Sequence, residues 1–178
     1  AGGGVTLITS TDVSAVSAIT FTGFNSSSYR GYFWILSNVT TAVDNKEFYM
    51  KTSTDGGSSY DASGYAWLCR HDTDAATTSL DASTSDSQIK ISGANTPQGS
   101  ASDENFSGQI NMFSPDLTHF TRLNWHCSGQ EDNGVMHHFY GAGERQYAAD
   151  VDAVEFSWET GGNFAAQGNI SFYGITRS

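Results

Sequence analysis

The sequence predicts an all-β protein, a two-sheet antiparallel β-sandwich with a jelly-roll-like arrangement of about ten strands. Aromatic residues make up 13% of the chain and charged residues only 15%, against about 25% charged residues in typical globular proteins. Apolar residues recur with a period of two rather than 3.6 residues. Segments rich in Gly, Ser, Asp and Asn separate these runs, and the 178 residues fit one domain.

The predicted strands follow one another from the N-terminus. A short lead strand is expected at 5–8, and in the next run Ile19 and Phe21 point to one side while their neighbours point to the other. Residues 30–39 are apolar or aromatic at nearly every position, which is typical of a central strand covered on both faces. Further strands are predicted at 46–54, 65–71, 88–92, 106–113, 119–127, 135–140, 151–158 and 169–175.

Two polar stretches are predicted to be loops. Residues 72–87 consist almost entirely of Asp, Thr, Ser and Ala, and residues 94–105 contain Pro97 and Gly99. Long loops on a rigid sandwich often carry the contacts with partners.

The chain is predicted to divide into an N-terminal arm and one folded domain. Residues 1–9, a glycine-rich start followed by the lead strand, form the expected assembly arm, and residues 10–178 form the sandwich. Glycines allow a close approach to another backbone. Val5, Leu7 and Ile8 are then expected to add a strand to a neighbouring subunit or to fill a groove on it.

The charge balance argues against some classes of partner. The chain has 19 acidic and 8 basic residues, which gives a net charge of -11. Phosphate backbones would be repelled, so neither a nucleic acid nor an anionic membrane is an expected partner. No apolar run approaches the roughly 18 residues of a membrane-spanning helix.

The sharpest local motif is STDGGSSY at residues 53–60, which resembles the Asp box of sialidase-type propellers. In a hairpin turn, Asp55 can accept backbone N–H bonds while Gly56 and Gly57 supply positive φ. The motif occurs once, whereas in propellers it recurs blade by blade. We therefore interpret it as a structural hairpin turn, with a role in binding a sugar or an ion as the alternative.

A group of histidines, together with Cys127, Glu131 and Asp132, raises the question of a metal site; the histidines are His119, His126, His137 and His138. On an extended strand, residues seven apart face opposite sides, and so do adjacent residues. One site therefore does not easily collect all four rings, and no HxH or CxxC spacing occurs. We predict no metal, with a metal site as the alternative.

Catalytic motifs are missing from the sequence. It contains no GxSxG elbow, no glycine-rich phosphate loop and no HExxH motif. Glu155 and Glu159 could serve a glycosidase, which needs two carboxylates, but any acidic protein offers such pairs. We predict a protein that is not an enzyme, with no cofactor and no catalytic residues.

The two cysteines, Cys69 and Cys127, lie in aromatic, strand-like runs. Such surroundings favour buried free thiols, and a mutual disulfide is the alternative.

Three segments carry a resemblance to a known family: VSAITFTGF at 16–24, SSYRGYFWILSNVTTAVDNKEFYMKTSTDGGSSYD at 27–61, and VDAVEFSWETGGNFAAQGNISFYGITRS at 151–178. An I-x-F-T-G strand, a Y-x-x-Y/F strand ending in Asn-Val, a STDGGS-x-Y turn and a closing G-x-I-x-F/L-Y-G-I strand make the chain similar to small β-sandwich virion proteins of tailed bacteriophages. Residues 75–130 do not match, and no catalytic residue carries over.

The resemblance implies a structural protein on the virion surface, assembled in the bacterial cytoplasm. A capsid decoration or head-fibre subunit is slightly favoured over a tail appendage that binds a receptor. The implied partners are other virion proteins, copies of the chain in a homotrimer, and a host-surface glycan. A secreted or cell-surface carbohydrate-binding module is the alternative, which exposed aromatics at sugar-stacking geometry would favour. A large apolar interface around a three-fold axis would favour the virion subunit.

Overall fold

A computed structural model describes residues 3–116 and 118–177, and these residues form two antiparallel sheets with no helix among them. The predicted all-β, two-sheet sandwich is confirmed. The twelve strands are β1 (Val5–Asp12), β2 (Ala18–Phe21), β3 (Tyr29–Val39), β4 (Phe48–Ser53), β5 (Tyr65–Thr73), β6 (Thr78–Asp86), β7 (Ile89–Lys90), β8 (Phe106–Phe113), β9 (Thr121–Gln130), β10 (Met136–Arg145), β11 (Ala153–Trp158) and β12 (Asn169–Thr176).

The strands divide unequally between the sheets. The large sheet has eight strands in the order β1-β12-β3-β8-β9-β10-β5-β6, and the small sheet has four in the order β2-β11-β4-β7. The chain crosses from one sheet to the other at each of the first four connections, while β8, β9 and β10 form a meander within the large sheet. Because β1 pairs with β12, the beginning and the end of the chain lie side by side.

The prediction of a loop at 72–87 was wrong, because β6 occupies most of that stretch. This strand lies at the edge of the large sheet, where β5 is its one partner among the residues that the structure describes. Most of its residues are exposed and none is fully buried, so the strand needs no alternating apolar pattern. Residues 94–105 form no strand beyond an isolated bridge between Lys46 and Gln98, in agreement with the prediction of a loop there.

The core between the sheets is built from aromatic side chains. Trp34 of β3 stacks on Phe172 of β12, with ring centroids 4.9 Å apart and an interplanar angle of 7°. From the small sheet, Phe21 approaches Phe172 to 5.6 Å, and Phe156 meets Trp34 edge-on, also at 5.6 Å. All four side chains are buried, so this contact excludes water and joins the two sheets.

The boundary predicted at residue 9 falls inside β1. This strand runs to Asp12 and pairs with β12 of the same chain. Gly4 extends the contact, since its N–H donates to the Thr176 hydroxyl and its carbonyl accepts from the Thr176 N–H at 2.9 Å. Residues 5–9 therefore belong to the large sheet, with Gly4 hydrogen-bonded to its last strand, and Ala1 and Gly2 of the predicted arm lie outside the described residues.

An ion pair between a buried arginine and a partly buried aspartate ties the connection after β4 to the large sheet. Arg145, at the end of β10, is only 3% exposed, and its Nε donates to Asp61 Oδ2 at 2.5 Å. The Asp61 N–H in turn donates to the Thr52 carbonyl at 3.0 Å. Removal of the carboxylate would leave a guanidinium that is desolvated and lacks its charge partner.

We predict that Asp61→Asn lowers the free energy of unfolding by about 3 kcal/mol, because it breaks a pair in which one partner is buried. Glu144→Gln is the matched control. Its partner Arg122 has a 72% exposed side chain, and such surface pairs contribute less than about 1 kcal/mol. Urea unfolding of both variants measures the difference, and equal losses would contradict a structural role of the Asp61 pair.

Candidate functional site

The outer face of the large sheet carries the side chains that the core does not use. Successive residues of a strand point to opposite faces. Each strand of the large sheet that packs aromatic side chains into the core therefore presents its other side chains on the outer face. Four parts of this face have different chemistry. They are an apolar patch at β1, β12 and β3, a polar row on β8 and β9, a histidine pair on β9 and β10, and a groove between β6, β5, β10 and β9.

The apolar part, here called the edge patch, consists of Val5, Leu7, Phe33, Ile35, Tyr173 and Ile175. Leu7 lies opposite Tyr173, which lies opposite Phe33, so one row crosses three strands. The Phe33 and Tyr173 rings stack at 4.8 Å with an interplanar angle of 8°. Val5 is 59% and Leu7 52% exposed. No member of the edge patch carries a charge.

The three residues of the predicted assembly arm do not share one face. The register of β1 against β12 shifts between Leu7 and Thr9. At this bulge Ile8 packs against the core, whereas Val5 and Leu7 remain on the outside. Successive side chains of a strand point to opposite faces, so Ile8 faces away from Leu7. The structure therefore leaves two of the three residues on the surface.

The polar row lies next to the edge patch. The Gln109 amide donates to the Asn111 side-chain oxygen at 2.6 Å, and the Asn111 amide donates to the Asn124 side-chain oxygen at 2.8 Å. Two hydrogen bonds thus join the three amides across β8 and β9. They give the middle of the outer face several donors and acceptors but no charge.

The histidines fall into separate groups. His126 of β9 and His138 of β10 meet on the outer face, with ring centroids 4.4 Å apart and their Nε2 atoms in contact. Tyr140 lies beside both rings and is 43% exposed. Desolvation, followed by the proximity of His126, lowers the pKa of His138, and Asp72 opposes this shift. His119 is exposed, and the structure gives it no contact with this pair.

A second histidine pair lies on the inner side of the same strands. The buried rings of His71 and His137 are 5.5 Å apart. His137 Nε2 lies 3.1 Å from Glu131 Oε1, and His71 Nε2 lies 3.4 Å from Asp81 Oδ2. Burial lowers the pKa of His137, while the Glu131 carboxylate opposes that shift. The sequence reasoning did not include His71, which joins His137 only through the register of β5 against β10.

The structure bears on the metal question in two ways. His137 and His138 face opposite sides of the sheet, as the strand geometry predicted. Among residues 3–116 and 118–177, no group of three or more His, Cys, Asp or Glu side chains is arranged to hold a metal ion. Of the acidic neighbours, Asp132 accepts from the Asn45 amide at 3.0 Å and does not join the histidines.

An apolar groove of about 380 Å³ lies at the opposite end of the outer face, between β6, β5, β10 and β9. The Arg122–Glu144 ion pair, at 3.3 Å, lies along it. Small side chains line much of the groove, among them Ala66, Ala82 and Ala142, together with Leu68. Alanines scattered over several strands form no motif, so the sequence alone did not predict this groove.

The Asp box adopts a turn of a different kind from the one predicted. Asp55 Oδ1 accepts the Ser59 N–H at 2.9 Å, and Gly56 and Gly57 have φ of 74° and 84°. The hydroxyl and N–H of Ser59, with the Ser53 hydroxyl, lower the pKa of Asp55 to about 2. However, β4 lies in the small sheet and β5 in the large one. The prediction of a hairpin was therefore wrong, because this turn begins a connection between sheets.

The two glutamates and the two cysteines that the sequence singled out lie in or beside strands of the sandwich. Glu155 lies opposite Lys51 in the small sheet, and its pKa is raised by burial, with Lys51 opposing. Glu159 follows β11, and its N–H donates to the Glu47 carbonyl at 2.8 Å. Cys69 and Cys127 are free and buried, and burial raises the pKa of Cys69 to about 12. A thiol with so high a pKa is a poor nucleophile at neutral pH.

Comparison with known proteins identifies no family. No protein-family model and no curated protein sequence matches the chain. A chain from the structure of infectious bursal disease virus, Gx strain, aligns at 10% identity with a TM-score of 0.14; the alignment covers 99% of this chain and 41% of that one. A likeness at that score carries no argument about fold or function.

The described residues contain no helix long and apolar enough to cross a membrane.

We predict that Gly57→Val destabilises the protein by about 1–3 kcal/mol, because its positive φ strains a β-branched residue and an added Cβ would lie 3.0 Å from the Tyr60 hydroxyl. Gly56→Val separates the two causes, since it has positive φ but no atom within 4 Å of the added Cβ. Gly4→Val, which has neither problem, should change stability little. Thermal midpoints in the order Gly57→Val, Gly56→Val, Gly4→Val, from lowest to highest, are expected, and an unchanged midpoint for Gly57→Val would contradict the prediction.

Proposed function

We propose that this chain is a non-enzymatic structural subunit on the outside of a tailed-phage virion, a capsid decoration or head-fibre subunit or else a tail appendage, and that it self-assembles through the edge patch. The resemblance of three segments to phage virion proteins supports the location. The observation that carries the assembly is the position of exposed Val5 and Leu7 on an edge strand of the large sheet.

The edge strand is an open site for pairing. Within the described residues, β1 has a partner on one side only, so its other side presents unpaired backbone groups. Proteins commonly protect such edges with lysine, proline or a covering element. The eight residues of β1 contain neither lysine nor proline, and the bulge at Ile8 interrupts the pairing at one position. A neighbouring copy would cover this edge.

Charge favours the same part of the surface. Two chains with a net charge of -11 each repel one another, and the repulsion is smallest where no carboxylate enters the contact. The edge patch supplies a face without any charged side chain, and the stacked Phe33 and Tyr173 rings give it aromatic area, which is enriched at protein interfaces.

We expect a closed homo-oligomer, a trimer, in which the edge patches face the symmetry axis. Closure matters because a head-to-tail contact that does not close produces filaments. Contacts with other virion proteins then fall to the surface away from the axis.

Leu7→Glu tests the interface, because it places a carboxylate in the edge patch. Leu80→Glu is the matched control, since Leu80 is 67% exposed on β6, the other edge strand of the same sheet. Sedimentation velocity of the intact protein is expected to give three times the chain mass of 19.1 kDa. Leu7→Glu should shift the protein to monomer, and Leu80→Glu should not.

A monomer at all concentrations, or equal effects of the two variants, would contradict assembly through the edge patch. A dimer sensitive to Leu7→Glu would retain the interface and refute the trimer.

A carbohydrate-binding module is the second candidate, favoured by one observation. Tyr140 exposes its ring beside His126, one strand away from the Asn124 amide and two strands away from the Gln109 amide. An exposed ring next to several donors and acceptors suits stacking and hydrogen bonding with a sugar. Binding of a glycan by the monomer, lost in Tyr140→Ala, would favour the module over the virion subunit.

A further inference from the structure

We propose that His126 and His138 form a two-histidine chelate for a divalent transition metal ion, such as Cu²⁺ or Zn²⁺, on the outer face of the large sheet. The ion binds through the Nε2 atoms of both rings, and its other coordination positions stay open. This site is independent of the proposed function.

The backbone register brings the two rings together. His126 lies directly opposite Tyr140, and His138 lies directly opposite Ser128, two residues further along β9. The histidines are thus diagonal neighbours on one face, a separation that long side chains can span. Both belong to paired strands, so the backbone holds the two rings at a fixed spacing.

The orientation of the rings points their nitrogens at one another. The Nε2 atoms are in direct contact, so both cannot carry a proton that points along the line between them. At least one presents a lone pair there, so the approach suits either a hydrogen bond between the rings or a cation bound by both. Imidazole nitrogens are ligands that Zn²⁺ and Cu²⁺ prefer.

Tyr140 supports both rings from one side. The His126 ring stacks on it at 4.8 Å with an interplanar angle of 21°, and the His138 ring packs against it at 4.1 Å. Such packing restricts the rotamers and keeps the nitrogens convergent. It also lowers the entropy that the side chains lose when an ion binds.

The neighbouring carboxylate, that of Asp72, is held through one oxygen, Oδ1, by residues of β5 and β6. Asp72, opposite His138 on β5, accepts from the Arg70 guanidinium at 3.1 Å and from the Thr78 hydroxyl at 2.7 Å. We therefore assign two protein ligands only, in agreement with the absence of a three-residue group in the described chain. The remaining positions take water or a donor from another molecule. Both rings lie outside the core, so the fold does not depend on the ion.

The test is titration of the purified protein with Cu²⁺ and with Zn²⁺, followed by calorimetry. We expect one ion per chain. His126→Ala and His138→Ala remove a direct ligand, so each should weaken binding by more than the roughly 10-fold that changes around the ligands cost. His119→Ala, an exposed histidine away from the pair, is the matched control and should bind as the unaltered protein does.

Electron paramagnetic resonance of the Cu²⁺-loaded protein identifies the ligands directly, and the spectrum of the unaltered protein needs no variant. Hyperfine coupling to two imidazole nitrogens is expected in the unaltered protein and to one in either variant. Thermal midpoints confirm that the variants are folded. Unchanged binding in His126→Ala or His138→Ala would overturn the proposal, and so would an equal loss of binding in His119→Ala. If the unaltered protein binds no ion, the proposal is also wrong, and the contact between the rings is a hydrogen bond.

Discussion

The stacking of Trp34 on Phe172, with Phe21 and Phe156 packed against them from the other sheet, is the interaction on which the rest of the structure depends. It fixes which residues of β3 and β12 point inward. Since side chains alternate along a strand, the residues between them must point outward. The packing of the core therefore determines which side chains lie on the outer face. A shift of one residue in strand register would exchange the inward-facing and outward-facing side chains.

The same alternation of side chains along the strands produces both candidate surfaces, the edge patch and the histidine pair. Burial of Trp34 places Phe33 and Ile35 on the outside, where they form part of the edge patch. Burial of Phe139 on β10 likewise places His138 and Tyr140 on the outside. The proposed interface and the proposed metal chelate are thus two consequences of one packing arrangement, although they lie on different strands and neither requires the other.

Sequence reasoning succeeded where the signal is local. The period-two pattern predicted the sandwich and a strand at 106–113, the bounds that β8 has in the structure. It failed for β6, because an exposed edge strand needs no buried face and its polar composition indicates a loop. It also missed the His126–His138 pair, since their contact depends on the register between β9 and β10, which no single segment encodes. The Asp box was predicted to be a hairpin for the same reason: the sheet to which the next strand belongs is not a local property.

Hydrogen exchange of the backbone amides in β1, measured over a range of protein concentrations, tests the central claim most directly. Amides on the open side of an edge strand exchange quickly unless another chain pairs with them. If copies of this protein meet at the edge patch, protection of residues 5–12 should rise with concentration, while the amides of edge strand β6 stay unchanged. Exchange in β1 that is equally fast at every concentration would contradict assembly at this edge.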